Sequence, residues 1–486
     1  MCHQLNKSKS CQELRAGVAR VDITDYNAGP VNGPLFARAL VVSDGTTQVA
    51  VISLDVVAVE EIGPLSKDFL PTVKSALEEL GFRRGNFLIN ASHCHGLVAG
   101  DVAQRTVQAV EEARDNLAPV TVWVAKGHED RIMENRRLRL RDGREADVRH
   151  AYSLPPDEEV IGVGPVDPEI GILQFKRQGG NTLAVVFNFA CHPIQGVPEG
   201  GNSSDISGFA CQVIEESLGD GAVALFLQGC AGDINPVWYK DVDHPRDAEP
   251  LGQMLGCSVL QALQRARPVE EPRLKTVRKV FNLPRADLAP FIAALEREQA
   301  QLLASLKGTS LNLKTYLALM TKHRLSPQFP AYYSHRYLHE RTLGRRWLER
   351  LDAENRNHLQ AYTENIFIME ELTRLRENLR LLQMHHAQNL AAGKDIEVEV
   401  LGLRIGEFIL ITFPGELSVQ IGLDIKALSP YEFTFVAGYT NGYIYYAPTR
   451  EQLRNRGHAQ EDSDCLLSPE WQTIFEQKVG EILAEL

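Results

Sequence analysis

Two regimes of apolar spacing divide the chain. Up to about residue 285, short continuous apolar runs alternate with segments whose apolar positions recur every three or four residues. Gln48–Val59, Asn86–Ser92, Leu183–Cys191 and Ala222–Gln228 read as buried strands. Ser66–Leu80, Val102–Asn116 and Ile206–Leu218 read as amphipathic helices between them. Strands that are apolar on both faces need cover on both faces. The pattern therefore predicts an α/β fold, a largely parallel or mixed central sheet with helices on either side.

From Asp287 to about Leu390 the period becomes helical throughout. Leu359, Tyr362, Ile366, Met369, Leu372, Leu375, Leu379 and Leu382 form one stripe, predicted to pack on a helix at Leu288–Leu306 as an antiparallel hairpin or small bundle. Gly393 ends the helix. Ile396–Ile405 and Phe408–Phe413, joined by Gly406-Glu407, then return to the sheet as a strand pair. Residues 12–285 and 394–486 are thus expected to form one α/β domain, interrupted by an all-helical insertion at 286–393. The insertion carries no legible chemistry. It reads as a packing lid or as an association surface for a second copy (a homo-oligomer), with enclosure of an acyl chain as the sharper alternative. His385 and His386 are expected to face solvent.

Charge narrows the functional classes. A net charge of −12 over 486 residues excludes a nucleic-acid or anionic-membrane surface, since no positive field would draw the polymer in. The one basic run, Arg136-Arg137-Leu138-Arg139-Leu140-Arg141, reads as a strand with a charged face. Eight cysteines without a CxxC pair imply buried free thiols in a reducing compartment. The amino-terminal residues lack the apolar core of a signal peptide, and no run approaches the ~18 apolar residues of a transmembrane segment. The expected location is cytoplasmic.

Three polar clusters follow apolar strands directly: Ser92-His93-Cys94-His95-Gly96, Cys191-His192-Pro193 and Gly229-Cys230-Ala231-Gly232-Asp233-Ile234-Asn235-Pro236. In open α/β sheets the loops at the carboxyl ends of strands surround the ligand crevice. On an extended segment His93 and His95 would face the same way. Imidazole suits zinc, whose catalytic sites keep a position open beside about three protein ligands. By spacing alone, hydrogen-bonded loop histidines remain the commoner outcome. Glu416 in Phe413-Pro414-Gly415-Glu416 then reads equally well as a charge at a helix start. Asp55 and Asp233 are placed as residues that would orient an imidazole. Tyr445 and Tyr446 read as pocket lining or as core.

HCHG, FACHP, GCAGDINP, FPGE and NGYIYYAPT, in that order, resemble the neutral/alkaline non-lysosomal ceramidase family, from Gly17-Val18-Ala19-Arg20-Val21-Asp22-Ile23-Thr24 to about Pro448. The resemblance implies one Zn2+ held by His93, His192, Glu416 and Tyr443. It implies that His95 contacts substrate or the developing oxyanion, and that Arg136 of Asn135-Arg136 is also functional. The implied activity is a zinc-dependent hydrolase that cleaves an amide (N-acyl) bond of a small-molecule or amphiphilic substrate by metal-activated water.

The sequence departs from the family where GDxSP carries serine: Asn235 stands there. A carboxamide cannot be an acyl-accepting nucleophile but can donate a hydrogen bond to substrate. The loop after His95 and the stretch 454–459 also differ, and the carboxyl-terminal β-sandwich of true ceramidases is expected to be missing. Ceramide itself is therefore not implied as the substrate. A non-hydrolytic zinc enzyme, a lyase or isomerase acting on a small polar carbonyl compound, is the alternative.

Overall fold

A computed structural model describes residues 13–147, 149 and 153–486. Cys2, Cys11 and the amino-terminal segment lie outside the described residues. Each predicted strand forms with slightly different ends: Gln48–Leu54, Phe87–Ala91, Thr182–Phe189 and Val223–Gln228. The main sheet runs in the order Val223–Gln228, Thr182–Phe189, Glu169–Arg177, Ala118–His128, Arg15–Asp22, Phe36–Ser43, Gln48–Leu54, Phe87–Ala91.

It is mixed, and only its two ends are parallel, Thr182–Phe189 with Val223–Gln228 and Gln48–Leu54 with Phe87–Ala91. The local turns explain why. Between Phe36–Ser43 and Gln48–Leu54, the Asp44 carboxylate accepts the N–H groups of Thr46 and Thr47 at 2.9 and 2.7 Å, closing a short hairpin that permits only antiparallel pairing.

Arg15–Asp22 and Ala118–His128 share just two paired positions, Arg15 with Pro119 and Ala16 with Ala118. The sheet bends at this weak joint until its far edge meets its beginning. There Ser53 Oγ donates to the Phe226 carbonyl at 2.6 Å, and the Gln228 N–H donates to Asn90 Oδ1 at 3.0 Å. A second sheet, Leu274–Pro284, Asp395–Ile405, Phe408–Thr412 and Phe433–Ala437, covers the remaining side.

The inward residues of all three strand groups, among them Val51, Phe175 and Phe435, share one core. Helices cover only the outside. Phe69–Glu79 and Val102–Asp115 pack on the first group, and Asp205–Leu218 and Glu249–Leu263 on the second. Val419–Leu428 and Trp471–Glu485 pack on the third. The expected mixed sheet flanked by helices is present, and its inner face meets other strands. A strand apolar on both sides is satisfied equally well when its inner face meets another sheet.

The insertion comprises Ala289–Ser305, Leu313–Leu325, Ser334–Thr342 and the 46-residue helix Trp347–Ala392. Leu375, Leu379 and Leu382 pack against Leu288 and Leu295 as the stripe predicted, while Met369, midway along the stripe, is exposed. Gly393 follows with φ +90°, a conformation that favours glycine. Fifteen of the twenty-three exposed large apolar side chains among the described residues lie on this insertion, concentrated away from the sheets.

The carboxyl-terminal end of the long helix is pinned to the α/β domain. Asn389 donates to the carbonyls of Ala286 and Leu466 at 2.9 and 3.1 Å, and Ser463 Oγ donates to Asn378 Oδ1 at 2.6 Å. His385 is fully buried here, paired with Asp464 and packed edge-on against Tyr445, so the expectation that it faces solvent is corrected. Its position on the inner stripe, one turn beyond Leu381, puts it against the domain.

The basic run is also reassigned. Only Leu138–Leu140 is strand, and Arg136 and Arg137 are buried in ion pairs with Glu461 and Asp462. No described helix is long and apolar enough to cross a membrane. Of the six described cysteines, five are buried thiols and Cys257 is exposed.

Candidate metal centre

His93 leaves the strand Phe87–Ala91 with φ +69°, a left-handed conformation that turns its ring inward. Its Nδ1 meets the Val57 carbonyl at 2.6 Å. His192 follows the strand Thr182–Phe189, and its Nδ1 meets the Ile234 carbonyl at 2.9 Å. Carbonyl oxygens only accept, so both rings carry the proton on Nδ1 and aim the Nε2 lone pair at the centre. Burial lowers the His93 imidazole to about 4, and burial, then Arg136, lowers His192 as well, so both rings are neutral.

Glu416 completes the group. Its oxygens lie 3.7 Å from His93 Nε2 and 3.1 Å from His192 Nε2, and one ligand atom from each of the three buried residues falls within 4.8 Å of the others. Two close-approach glycines bring these loops together. A Cβ at Gly415 would stand 2.7 Å from the Tyr445 carbonyl oxygen, and one at Gly232 would stand 2.9 Å from that of Glu416. Tyr443 donates its hydroxyl to Glu416 Oε1, and Tyr439 donates to Oε2 at 3.1 Å. Burial, then the Glu416 charge, raises both phenols well above their ordinary range, so they stay protonated donors.

Two neutral imidazoles and a carboxylate thus turn electron pairs toward one another, with no proton available between them. A divalent cation with bonds of about 2 Å resolves that arrangement, and an N,N,O donor set suits zinc. The structure brings together all four residues that the resemblance named.

The other expected residues fall into two layers. His95 opens into a cleft of about 560 Å³ and packs edge-on against His93, 5.4 Å between ring centres. Burial, then His93, lowers its imidazole to about 4. Arg136 lines the same cleft. Its guanidinium donates to Glu461 at 2.5 Å, the Gly232 carbonyl at 2.5 Å, Asn235 Oδ1 at 2.9 Å and the Tyr446 hydroxyl at 3.2 Å. One Nη1 hydrogen is left for a ligand.

Asn235 is not part of the cleft wall. Its carboxamide oxygen backs Arg136, which makes it a positioning group for that arginine. Asp233 and Asp55 do not touch the imidazoles: Asp233 receives the Val419 N–H and Asn135, and Asp55 receives Arg38 and the Phe36 N–H. The orienting role expected of these carboxylates falls to two backbone carbonyls.

Tyr439 escaped the sequence reading. Its ring lies 4.5 Å from that of His93, and its backbone is left-handed at φ +53°. Its one signal was its place two residues before Asn441-Gly442. Tyr445 and Tyr446 line the cleft, as do Leu381 and Met384 of the insertion.

A crystal structure of neutral ceramidase from Pseudomonas aeruginosa matches with a TM-score of 0.61 at 15% identity, covering 97% of this chain and 74% of that one. A ceramidase complexed with C2 matches with a TM-score of 0.60 at 14% identity, over 97% and 75%. The chain has the neutral ceramidase fold. No protein-family model matches the sequence.

Proposed function

We propose that this chain is a zinc-dependent hydrolase that cleaves an amide (N-acyl) bond by metal-activated water. The observation that carries the reading is the buried convergence of His93, His192 and Glu416, with both Nδ1 protons already given to carbonyls. His93, His192, Glu416 and Tyr443 hold the ion. When bound, zinc supplies Lewis acidity and lowers the pKa of water toward ~7.

The chain's own groups do the rest. His95, neutral and open to the cleft, is placed to take or return a proton at the scissile bond. Arg136 lines the cleft with one Nη1 hydrogen uncommitted, which could donate to the carbonyl oxygen as negative charge develops; such a donor is commonly worth ~3 kcal/mol. Asn235 and Glu461 hold that guanidinium in place. Cleavage of amides in the two ceramidases whose fold it shares supports the same bond class here. The buried thiols fit a cytoplasmic location.

The test pairs metal analysis with turnover. Purified protein should hold about one zinc per chain, and His93→Ala/His192→Ala should hold none. N-acyl amides should be cleaved, and chelator should abolish the activity. Full metal occupancy in the double variant, or chelator-insensitive turnover, would refute the assignment.

A further inference from the structure

Charge is unevenly distributed around the cleft. Its carboxylates are already satisfied by the protein. Asp464 receives Arg149 at 2.6 Å and also pairs with His385, and Asp205 receives the backbone N–H groups of Gln195, Gly196 and Ile206 at 3.2, 2.7 and 2.8 Å. Glu416 belongs to the metal centre. The outer cations are matched less fully, although the Arg246 charge acts on Asp205. Arg246 is exposed, lies over the Tyr239 ring at 5.5 Å, and forms no ion pair among the described residues. Arg380 has only Glu377, on its own helix at 3.1 Å, and is half exposed. The cleft also has an apolar lining, contributed by Ile62, Leu381 and Met384.

We propose that the substrate is an N-acyl compound carrying an anionic oxygen group, a carboxylate or phosphate, which Arg246 and Arg380 receive at the mouth while the acyl chain lies along the apolar lining. The proposal rests on the hydrolase reading above and narrows its substrate class. A neutral amide would leave Arg380 with only Glu377 of its own helix and Arg246 with only the Tyr239 ring and the charge of Asp205. In a chain of net charge −12, cations gathered at the cleft mouth also attract an anion to the one place where it can be processed.

Binding can be measured separately from chemistry. Calorimetry on chelator-treated protein, where no metal can receive the anion, compares N-decanoylglycine with its neutral counterpart N-decanoylglycinamide. The acid should bind about tenfold more tightly, the usual scale of a charge-assisted hydrogen bond. Arg246→Ala/Arg380→Ala should erase the preference, Arg246→Lys should retain part of it, and raised salt should weaken it. N-decanoyl-phosphoethanolamine in the same series distinguishes phosphate from carboxylate as the preferred group.

Equal affinity for acid and amide, or a preference that survives the double variant, would overturn the proposal. Metal-dependent cleavage of both compounds without preference would also overturn it while leaving the hydrolase reading in place. A binding preference without cleavage of either compound would do the reverse.

Discussion

Asn441 holds Ile89 by both sides of its backbone: the Asn441 N–H donates to the Ile89 carbonyl at 2.9 Å, and Asn441 Oδ1 accepts the Ile89 N–H at 2.8 Å. Its Nδ2 also donates to the Phe87 carbonyl at 3.2 Å. The turn that carries Tyr443 is thereby fastened to the strand that delivers His93, so two proposed ligands share one joint.

Replacing Asn441 with Ala leaves the buried Ile89 N–H without a partner and puts an alanine at φ +61°. The expected loss is about 1–3 kcal/mol of stability, measured by denaturant unfolding. Metal affinity should fall as well. Unchanged metal affinity in a folded Asn441→Ala protein would show that the joint does not position Tyr443.

The two tyrosines on Glu416 should differ. Tyr443→Phe removes a proposed ligand and should weaken metal binding by roughly 10–100-fold, read by competition with a chromophoric chelator. Tyr439→Phe removes only a donor to Glu416 Oε2 and should have a smaller effect. The reverse order would reassign the fourth ligand.

Asp147 and Glu461 lie together in the buried charge cluster around Arg136. Burial, then Asp147, raises Glu461 well above the carboxylate range, whereas Asp147 is lowered despite its burial by Glu461, Arg136 and backbone N–H groups. Asp147 receives the Gln460 N–H at 2.6 Å and the Arg149 N–H at 2.9 Å. Glu461→Gln keeps an acceptor oxygen for Arg136 and should cost less than Asp147→Asn, which removes a buried charge and should cost about 2–4 kcal/mol. Thermal unfolding of the two variants tests the order.

His458 gives a pH-dependent contribution away from the metal centre. Burial, then Arg144, lowers its imidazole to about 4 from an ordinary 6.5. Between these values the unfolded chain binds a proton that the folded chain does not, so stability is lost as pH falls from 6.5 toward 4. Above 6.5 the term is constant. His458→Gln should flatten the slope of unfolding free energy in that window by up to roughly 2–3 kcal/mol; an unaltered slope would show that His458 titrates normally.

Much of this site was legible because its proposed ligands sit directly after apolar strands, where the period of the sequence changes abruptly. His93 and His192 could be placed that way, and the ordered motifs added Glu416 and Tyr443. Less local features were not legible. Val57 and Ile234 orient the imidazoles through backbone carbonyls, which leave no trace in residue type. The burial of His385 depends on docking with Asp464, seventy-nine positions away. The mixed sheet follows from a hairpin at Asp44, yet the meeting of its two edges at Ser53 and Phe226 has no local signal.

Because Leu381 and Met384 come from the insertion while the metal group comes entirely from the α/β domain, the cleft is assembled from two separately variable parts. A lineage could exchange or reshape the long helix and acquire a different diet of substrates without altering a single ligand. Selectivity in this architecture is free to drift while the reaction itself stays fixed.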